Sequence, residues 1–257
     1  MTDRPRTRLY LDAPLGSGLP VALDGDRAHY LRAVLRLEPG ARLLAFNGRD
    51  GEWLVEVTRL SKSGGEAACL ERVRPQVPDN GPWLLFAPLK GGRTEYVVEK
   101  AVELGAGLLQ PTYTRRGDVA RVNLDRLRAN AVEAAEQCER LSVPEVRDGQ
   151  PLDRLLAGWD PGRILFVAAE SGRAEPMVTA VTARKAQPAA FLVGPEGGFD
   201  ARELDALNTL PFVVPVGLGP RVLRADTAGF AALAVWQALA GDWTRDGGDS
   251  RPPFRAD

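Results

Sequence analysis
The chain has 257 residues, 44% hydrophobic and 26% charged, the make-up of an ordinary water-soluble globular protein with room for one large domain or two modest ones. A formal net charge of −1, two cysteines and one histidine argue against a general polyanion binder, a disulfide framework and a zinc site. Residues 1–75 carry 12 Lys+Arg against 10 Asp+Glu and the remainder 21 against 24, so any RNA contact must come from local patches. The basic residues are mostly Arg, which suits bidentate phosphate contact and equally reflects composition. Met1 to Arg6 lacks an apolar signal segment, and the apolar stretch Ala228 to Gly241 is too short to span a bilayer. A cytoplasmic protein with no membrane partner is expected, with Cys69 and Cys138 as buried packing residues.

The first segment reads as a small β domain. Arg8 to Leu11 is a short strand, and Asp24 caps a helix whose apolar positions Tyr30, Leu31, Val34 and Leu35 follow helical spacing. Pro39-Gly40 ends it. Arg42 to Phe46 then turns at Asn47-Gly48-Arg49-Asp50-Gly51 into Glu52 to Val57, a hairpin with strong turn chemistry, and a further strand lies near Glu66 to Val73. Several short strands with one helix suggest a small barrel. His29, the only histidine, has no partner His or Cys nearby, which favours packing or RNA contact over catalysis.

Arg74 to Pro82 is a linker by composition. Beyond it strands alternate with helices: Trp83 to Ala87, a loop Pro88 to Arg93, a helix Thr94 to Leu104 stopped by Gly105, then a strand Leu108 to Pro111 and a helix Leu124 to Leu141. Arg163 to Ala168 is the next strand, followed by a helix Glu175 to Arg184. This alternation specifies an α/β domain with a largely parallel sheet.

Ala189 to Val193 is an apolar run of buried-strand length leading into Gly194-Pro195-Glu196-Gly197-Gly198-Phe199, and Asp200 to Leu204 reads as a capped helix start. A glycine turn between a parallel strand and a helix is a candidate ligand site, although it can also be only a tight connection. It is neither a P-loop nor GxGxxG, and Glu196 would repel a phosphate, so a neutral or cationic ligand fits better. A second glycine loop, Gly217 to Arg221, follows the strand Phe212 to Val216. The helix from Val222 to Ala240 is almost apolar all round and is expected inside the domain or at a subunit contact. Asp242 to Asp257 is polar and rich in Gly and Pro, as a flexible tail would be.

Taken in order, Lys90-Gly91-Gly92-Arg93, Glu99 to Gly105, Glu136-Gln137-Cys138-Glu139-Arg140 with Val143-Pro144-Glu145, Gly194 to Phe199 and Leu218 to Arg224 resemble the RsmE family, small-subunit ribosomal RNA uridine N3 methyltransferases of the SPOUT class. His29 to Arg36 with Pro39-Gly40 resembles that family's PUA-like RNA-binding domain. The resemblance implies a PUA-like β-barrel over 1–74, a SPOUT α/β trefoil-knot methyltransferase domain over 82–243 and a flexible tail over 244–257. It implies S-adenosylmethionine as cofactor and no metal. Cofactor contacts would come from Val193, Gly194, Pro195, Glu196, Gly197, Gly198, Val216, Leu218, Gly219, Arg221, Val222, Leu223 and Thr227. The implied partners are a second copy of the chain, in a homodimer, and 16S rRNA, in an assembled small subunit.

The imide N3 of uridine is a poor nucleophile until it loses its proton, so positioning and a nearby cation should supply most of the rate. By resemblance Arg224 stabilises the developing charge, with Glu196 or Asp226 orienting it or accepting the proton. The family more often has Glu where Asp226 stands. Structural roles stay open for all three: Glu196 and Asp226 can cap helices and Arg224 can pair with Asp226. His29, Arg32, Arg36, Lys90, Arg93 and Arg140 are the candidate RNA contacts. Two further readings are a non-catalytic RNA-binding assembly factor and a SPOUT enzyme with another RNA target, such as a ribose hydroxyl. The missing GxGxxG disfavours a dinucleotide enzyme.

Overall fold
The computed structural model describes residues 5, 7–169 and 174–244, so the expected tail beyond Thr244 lies outside the described residues. Residues up to Asp79, together with Ala135–Val143, form one compact unit, and the rest of the described chain forms a second.

In the first unit β1 (Arg8–Tyr10), β2 (Pro20–Leu23), β3 (Arg42–Phe46), β4 (Glu52–Leu60) and β5 (Gly65–Arg74) make a sheet in the order β1-β3-β4-β5-β2. The β1–β3 pair is parallel and the others antiparallel. The β3–β4 turn closes because the Asn47 side-chain oxygen accepts from the Arg49 and Asp50 amides, both at 2.9 Å. Gly51 has φ 86°, and a Cβ there would lie 2.3 Å from the Arg74 carbonyl, so no larger residue fits. Three register shifts along β4–β5 bend the sheet over a core that includes Leu31, Leu43, Val55 and Cys69.

Asp24 caps α1 (Gly25–His29) by accepting from the Arg27 amide, but Tyr30–Val34 is a π-helical turn, with the Leu35 amide donating to the Tyr30 carbonyl at 3.0 Å. The five-residue step breaks the expected apolar face. Leu31 is buried, while Tyr30 and Val34 stand 42% and 61% exposed beside the exposed His29, Arg32 and Arg36.

A buried charge cluster lies deeper in this unit. The wholly buried Glu52 accepts from Arg8 Nε at 2.5 Å and from Arg74 Nη2 at 3.3 Å, with Arg74 Nε 3.0 Å from its other oxygen in the same ion pair. The two guanidinium groups also donate to the carbonyls of Ala135, Glu139 and Arg140, acceptors that the end of a helix leaves without intrahelical donors. Burial pulls the Arg8 pKa down, and the hydrogen bond and charge of Glu52 work against that. The helix they cap, α3 (Leu124–Gln137), ends before the expected Leu141, and Glu139 takes a left-handed φ of 60°. Cys138, beyond that end, is exposed and not the packing residue expected, whereas Cys69 is buried.

The second unit is a parallel sheet in the order β11-β13-β10-β12-β6-β7-β8, with β9 also pairing with β7. Its strands are β6 (Trp83–Phe86), β7 (Leu108–Tyr113), β8 (Glu145–Val146), β9 (Gln150–Pro151), β10 (Ile164–Ala168), β11 (Glu175–Pro176), β12 (Ala189–Val193) and β13 (Val213–Gly217). The helices α2 (Arg93–Glu103), α4 (Leu152–Ala157), α5 (Met177–Arg184), α6 (Ala201–Asn208) and α7 (Ala225–Leu239) connect or follow them. Glu175–Pro176, expected as the start of a helix, instead pairs with β13, and the helix starts at Met177. The last helix starts at Ala225, leaving Val222 82% exposed ahead of it. Its buried Gln237 is polar for a reason: the side-chain nitrogen donates to the Leu104 carbonyl at 3.0 Å and its oxygen accepts from the Asp242 amide at 2.9 Å. The helix is thereby tied to the end of α2.

β6 leads outward to β7, while β12 lies on its other side, so a crevice opens at the carboxyl ends of β6 and β12. The Ala87 amide donates to the Val193 carbonyl at 3.0 Å at that point.

Candidate active site
The first glycine turn leaves β12 there. Gly194 and Pro195 are buried, Glu196, Gly197 and Gly198 are exposed, and Phe199 folds back into the core. The Phe199 ring lies 3.1 Å from where a Gly194 Cβ would stand, so a side chain at 194 would have to push the ring back into the core. The Gly198 amide donates to the Pro195 carbonyl at 2.9 Å, and Gly198 has φ 66° with open space on its Cβ side. Asp200 then caps α6 in a reciprocal capping box with Glu203. Those hydrogen bonds, led by the Glu203 amide, hold the Asp200 carboxyl below its ordinary range.

The loop after β6 faces this turn. Gly91 and Gly92 take φ 69° and 78°, a left-handed pair that brings Arg93 to the first position of α2. Arg93 Nη1 donates to Glu196 Oε1 at 2.6 Å, while its Nε and Nη2 both donate to Asp226 Oδ2, at 3.0 and 2.9 Å. One guanidinium therefore joins the glycine turn to the first turn of α7. Burial alone would raise the Asp226 pKa, but hydrogen bonds from Arg93 and the Thr227 amide, with the Arg93 charge, bring it below its ordinary value. The same contact with Asp226 raises the Arg93 pKa.

The second loop leads into α7 from the buried Val216 at the end of β13. Leu218 and Leu223 are half-buried, and Gly219, Arg221 and Val222 are exposed. Gly219 has φ 101° and open space on its Cβ side. Arg224 is the N-cap residue of α7, and its side chain has no hydrogen-bond or ion-pair partner among the described residues. Asp226 is paired with Arg93 instead. Its other oxygen accepts from the Thr227 amide at 2.7 Å, and the acid sits at the positive end of the helix. Val193, Gly194 and Ala225 line one small apolar recess with Leu84, Phe86 and Leu89.

Of the remaining candidate RNA contacts, Lys90 is exposed in an ion pair with Asp118 at 2.8 Å. Arg140 is largely buried and bound to Asp79, with the Ser142 hydroxyl on the same carboxylate. Sequence reasoning missed Arg115 and Arg116 on the loop after β7. The Arg115 amide donates to Glu203 Oε1 at 2.8 Å and Arg116 Nη1 to the Gly197 carbonyl at 3.0 Å. The Asp200/Glu203 spacing was a visible signal of the cap, but nothing in the sequence linked either arginine to a turn some eighty residues away. Among the described residues no group of three His, Cys, Asp or Glu side chains is placed to hold a metal, and no helix is long and apolar enough to cross a membrane.

Two family models match the chain, an RNA methyltransferase domain over residues 80–237 and an RNA methyltransferase PUA domain over residues 23–67. The Mycobacterium tuberculosis ribosomal RNA small subunit methyltransferase E is 31% identical over 93% of this chain and 94% of its own. The Synechocystis protein of the same name is 34% identical, covering 85% and 73%. The crystal structure of the ribosomal RNA small subunit methyltransferase E of Neisseria gonorrhoeae, bound to S-adenosyl methionine, superposes with a TM-score of 0.79 at 28% identity, covering 93% and 99%. A fold, a PUA module and a sequence likeness that all run nearly end to end make this chain a member of the ribosomal RNA small subunit methyltransferase E family.

Proposed function
We propose that this protein transfers a methyl group from S-adenosylmethionine to N3 of a uridine in 16S rRNA, acting in the cytoplasm as a homodimer on an assembled small subunit. Residues 1–74 serve as the RNA-binding module and 82–243 as the methyltransferase domain. The observation that carries the reading is the ligation of the glycine turn to α7 by Arg93, at the carboxyl ends of β6 and β12.

The residues present fit the cofactor. Gly198 and Gly219 are exposed, with open space where a Cβ would stand, so the backbone of both loops is open to close approach by a ligand. The exposed Glu196 suits a ligand carrying a sulfonium and an ammonium and no phosphate. Main-chain groups of Val193 to Gly198 and Val216 to Leu223, with Arg221 and Thr227 at the edge, would hold the cofactor, which supplies an electrophilic methyl.

This chain's own part is to bind, orient and manage one proton. Arg224, without a partner among the described residues, is available to the uracil oxygens as negative charge develops on them. The base must leave its stack to enter the crevice, and the surrounding RNA must then be held in register. His29, Arg32, Arg36 and Lys90, all exposed, are suited to that, whereas Arg93 and Arg140 are already committed to carboxylates. The near-neutral net charge predicts weak binding to naked RNA and a need for the shaped ribosomal surface.

The test has two steps. Calorimetric titration with S-adenosylmethionine should saturate for the wild type and fail for a folded Gly197→Val variant. Incubation with small subunits lacking the modification, followed by nucleoside analysis, should then yield N3-methyluridine. Methyl found on ribose, or on no nucleoside, would overturn the reading.

A further inference from the structure
The proposed reaction needs a proton acceptor, and two carboxylates border the crevice. They are not equivalent. Asp226 is the more buried, and both of its oxygens are engaged, Oδ2 by two Arg93 nitrogens and Oδ1 by the Thr227 amide. Glu196 gives only Oε1 to Arg93, and Oε2 has no hydrogen-bond partner among the described residues. Glu196 is also the more exposed, its side chain keeping 52% of its surface against 14% for Asp226.

Resting on the uridine-N3 reading, we propose that Arg93 is a positioning residue that divides the work between the two acids: it locks Asp226 as its own anchor and turns the free oxygen of Glu196 into the proton acceptor for N3. The balance is simple. The N3–H bond breaks and its proton passes to Glu196 Oε2; the N3 lone pair forms the bond to the methyl carbon; the carbon–sulfur bond breaks and its electron pair stays on sulfur as a neutral thioether. Arg93 serves this arrangement in two ways. It fixes the glutamate on a turn whose Gly197 and Gly198 would otherwise leave it loose, and it sets one cation between two carboxylates so that only Oε2 of Glu196 is left open to the substrate. The charged groups around Glu196 are Arg93 from the start of α2, Asp226 from the start of α7, and Arg116, on the Gly197 carbonyl, from the loop after β7. None but Arg93 donates to it.

The test compares the wild type with Glu196→Gln, Asp226→Asn and Arg93→Lys, each checked for native circular dichroism. Two readouts are taken: the S-adenosylmethionine Kd by calorimetry and the pH profile of N3-methyluridine formation on small subunits. Measured at saturating S-adenosylmethionine, with the Kd setting the concentration needed, Glu196→Gln should lose about 100-fold or more in rate at neutral pH, the usual worth of a general base. Its rate should then climb with pH as N3 ionises by itself. Asp226→Asn should keep the shape of the wild-type profile while KM for the subunit rises. Arg93→Lys, which keeps the charge but not the forked geometry, should fall between them. A wild-type profile for Glu196→Gln, or a changed profile for Asp226→Asn alone, would overturn the division of roles and leave the methyltransferase reading standing. Absence of N3-methyluridine from the wild type would remove that reading and this proposal with it.

Discussion

Arg116 Nη1 donates to the Gly197 carbonyl at 3.0 Å, so an exposed side chain from the loop after β7 braces the glycine turn from outside. The bond has little to do with holding the fold, because surface groups of this kind seldom change stability by more than about 0.5 kcal/mol. It bears on the pose of the turn. Arg116→Ala should therefore leave the melting temperature near that of the wild type and weaken S-adenosylmethionine binding by about 3- to 10-fold, the equivalent of one hydrogen bond. Calorimetry beside a thermal melt checks both halves.

Gly198 and Gly219 make a sharper pair. Each has a positive φ and open space where a Cβ would stand, so a methyl group meets no neighbour but strains the backbone. Gly198→Ala and Gly219→Ala should each cost about 1–2 kcal/mol of stability, the usual penalty for an L-residue in the left-handed region. If the turn relieves that strain by moving, cofactor affinity falls with it. Urea unfolding and titration of the same samples separate the two effects, and unchanged stability would mean that the turn is already mobile enough to absorb the strain.

Much of this arrangement was legible in the sequence, for identifiable reasons. Ala189 to Val193 is apolar at every position because β12 is buried on both faces, whereas a strand with one face in water would alternate apolar with polar residues. Asp200 and Glu203 stand at capping-box spacing, and Gly105 marks the end of α2. The failures have physical causes as well. The π-turn at Tyr30–Val34 leaves no mark on composition, so helical spacing wrongly buried Tyr30 and Val34. The strand order, with β12 beside β6, depends on contacts distant in sequence. Above all, local reasoning offered the neighbour Arg224 as the structural partner of Asp226 and set Arg93 among the candidate RNA contacts, whereas Arg93 and Asp226 meet across 133 residues. Their types were informative and their partner was not.

That pairing gives Asp226 a pH signature. Its folded pKa lies below the ordinary 3.8, so its contribution to stability is fully present above that value and is lost as pH falls through the folded pKa. Asp226→Asn removes the contribution at all pH. The variant should be less stable than the wild type at pH 7, by about 1–2 kcal/mol for a partly screened hydrogen bond to a charged group. The difference should shrink below about pH 4. Urea midpoints at pH 7, 5 and 3 check the sign; a difference that grows on acidification would contradict it.

The charge cluster in the first unit should behave quite differently from these partly exposed groups. Glu52 is wholly buried between Arg8 and Arg74, and removing its charge strands two guanidinium groups that cannot reach water. Breaking such a pair costs about 3–5 kcal/mol, so Glu52→Gln should lower the denaturation midpoint far more than any substitution at Lys90 or Arg36. Arg8→Met, which removes one of the two cations and keeps the bulk, should cost less than Glu52→Gln. A loss under about 1 kcal/mol for Glu52→Gln would show that water reaches the cluster.

RNA contact can be separated from structural charge by salt. His29, Arg32 and Arg36 are exposed on or beside the π-turn, and Lys90 lies exposed against Asp118, whereas Arg140 is largely buried on Asp79. A residue that neutralises a phosphate releases counterion, so its removal reduces the slope of log affinity against log salt by about 0.7–0.9. Arg32→Ala, Arg36→Ala and Lys90→Ala should each show that reduction in binding to the small subunit, at unchanged stability. Arg140→Ala should instead lower stability and leave the slope alone, because its side chain is largely buried against Asp79, whereas the pair of Lys90 with Asp118 is exposed and gives way to a phosphate. A reduced slope for Arg140→Ala at wild-type stability would mean that Arg140 releases Asp79 to bind RNA, and its place would then be among the contacts.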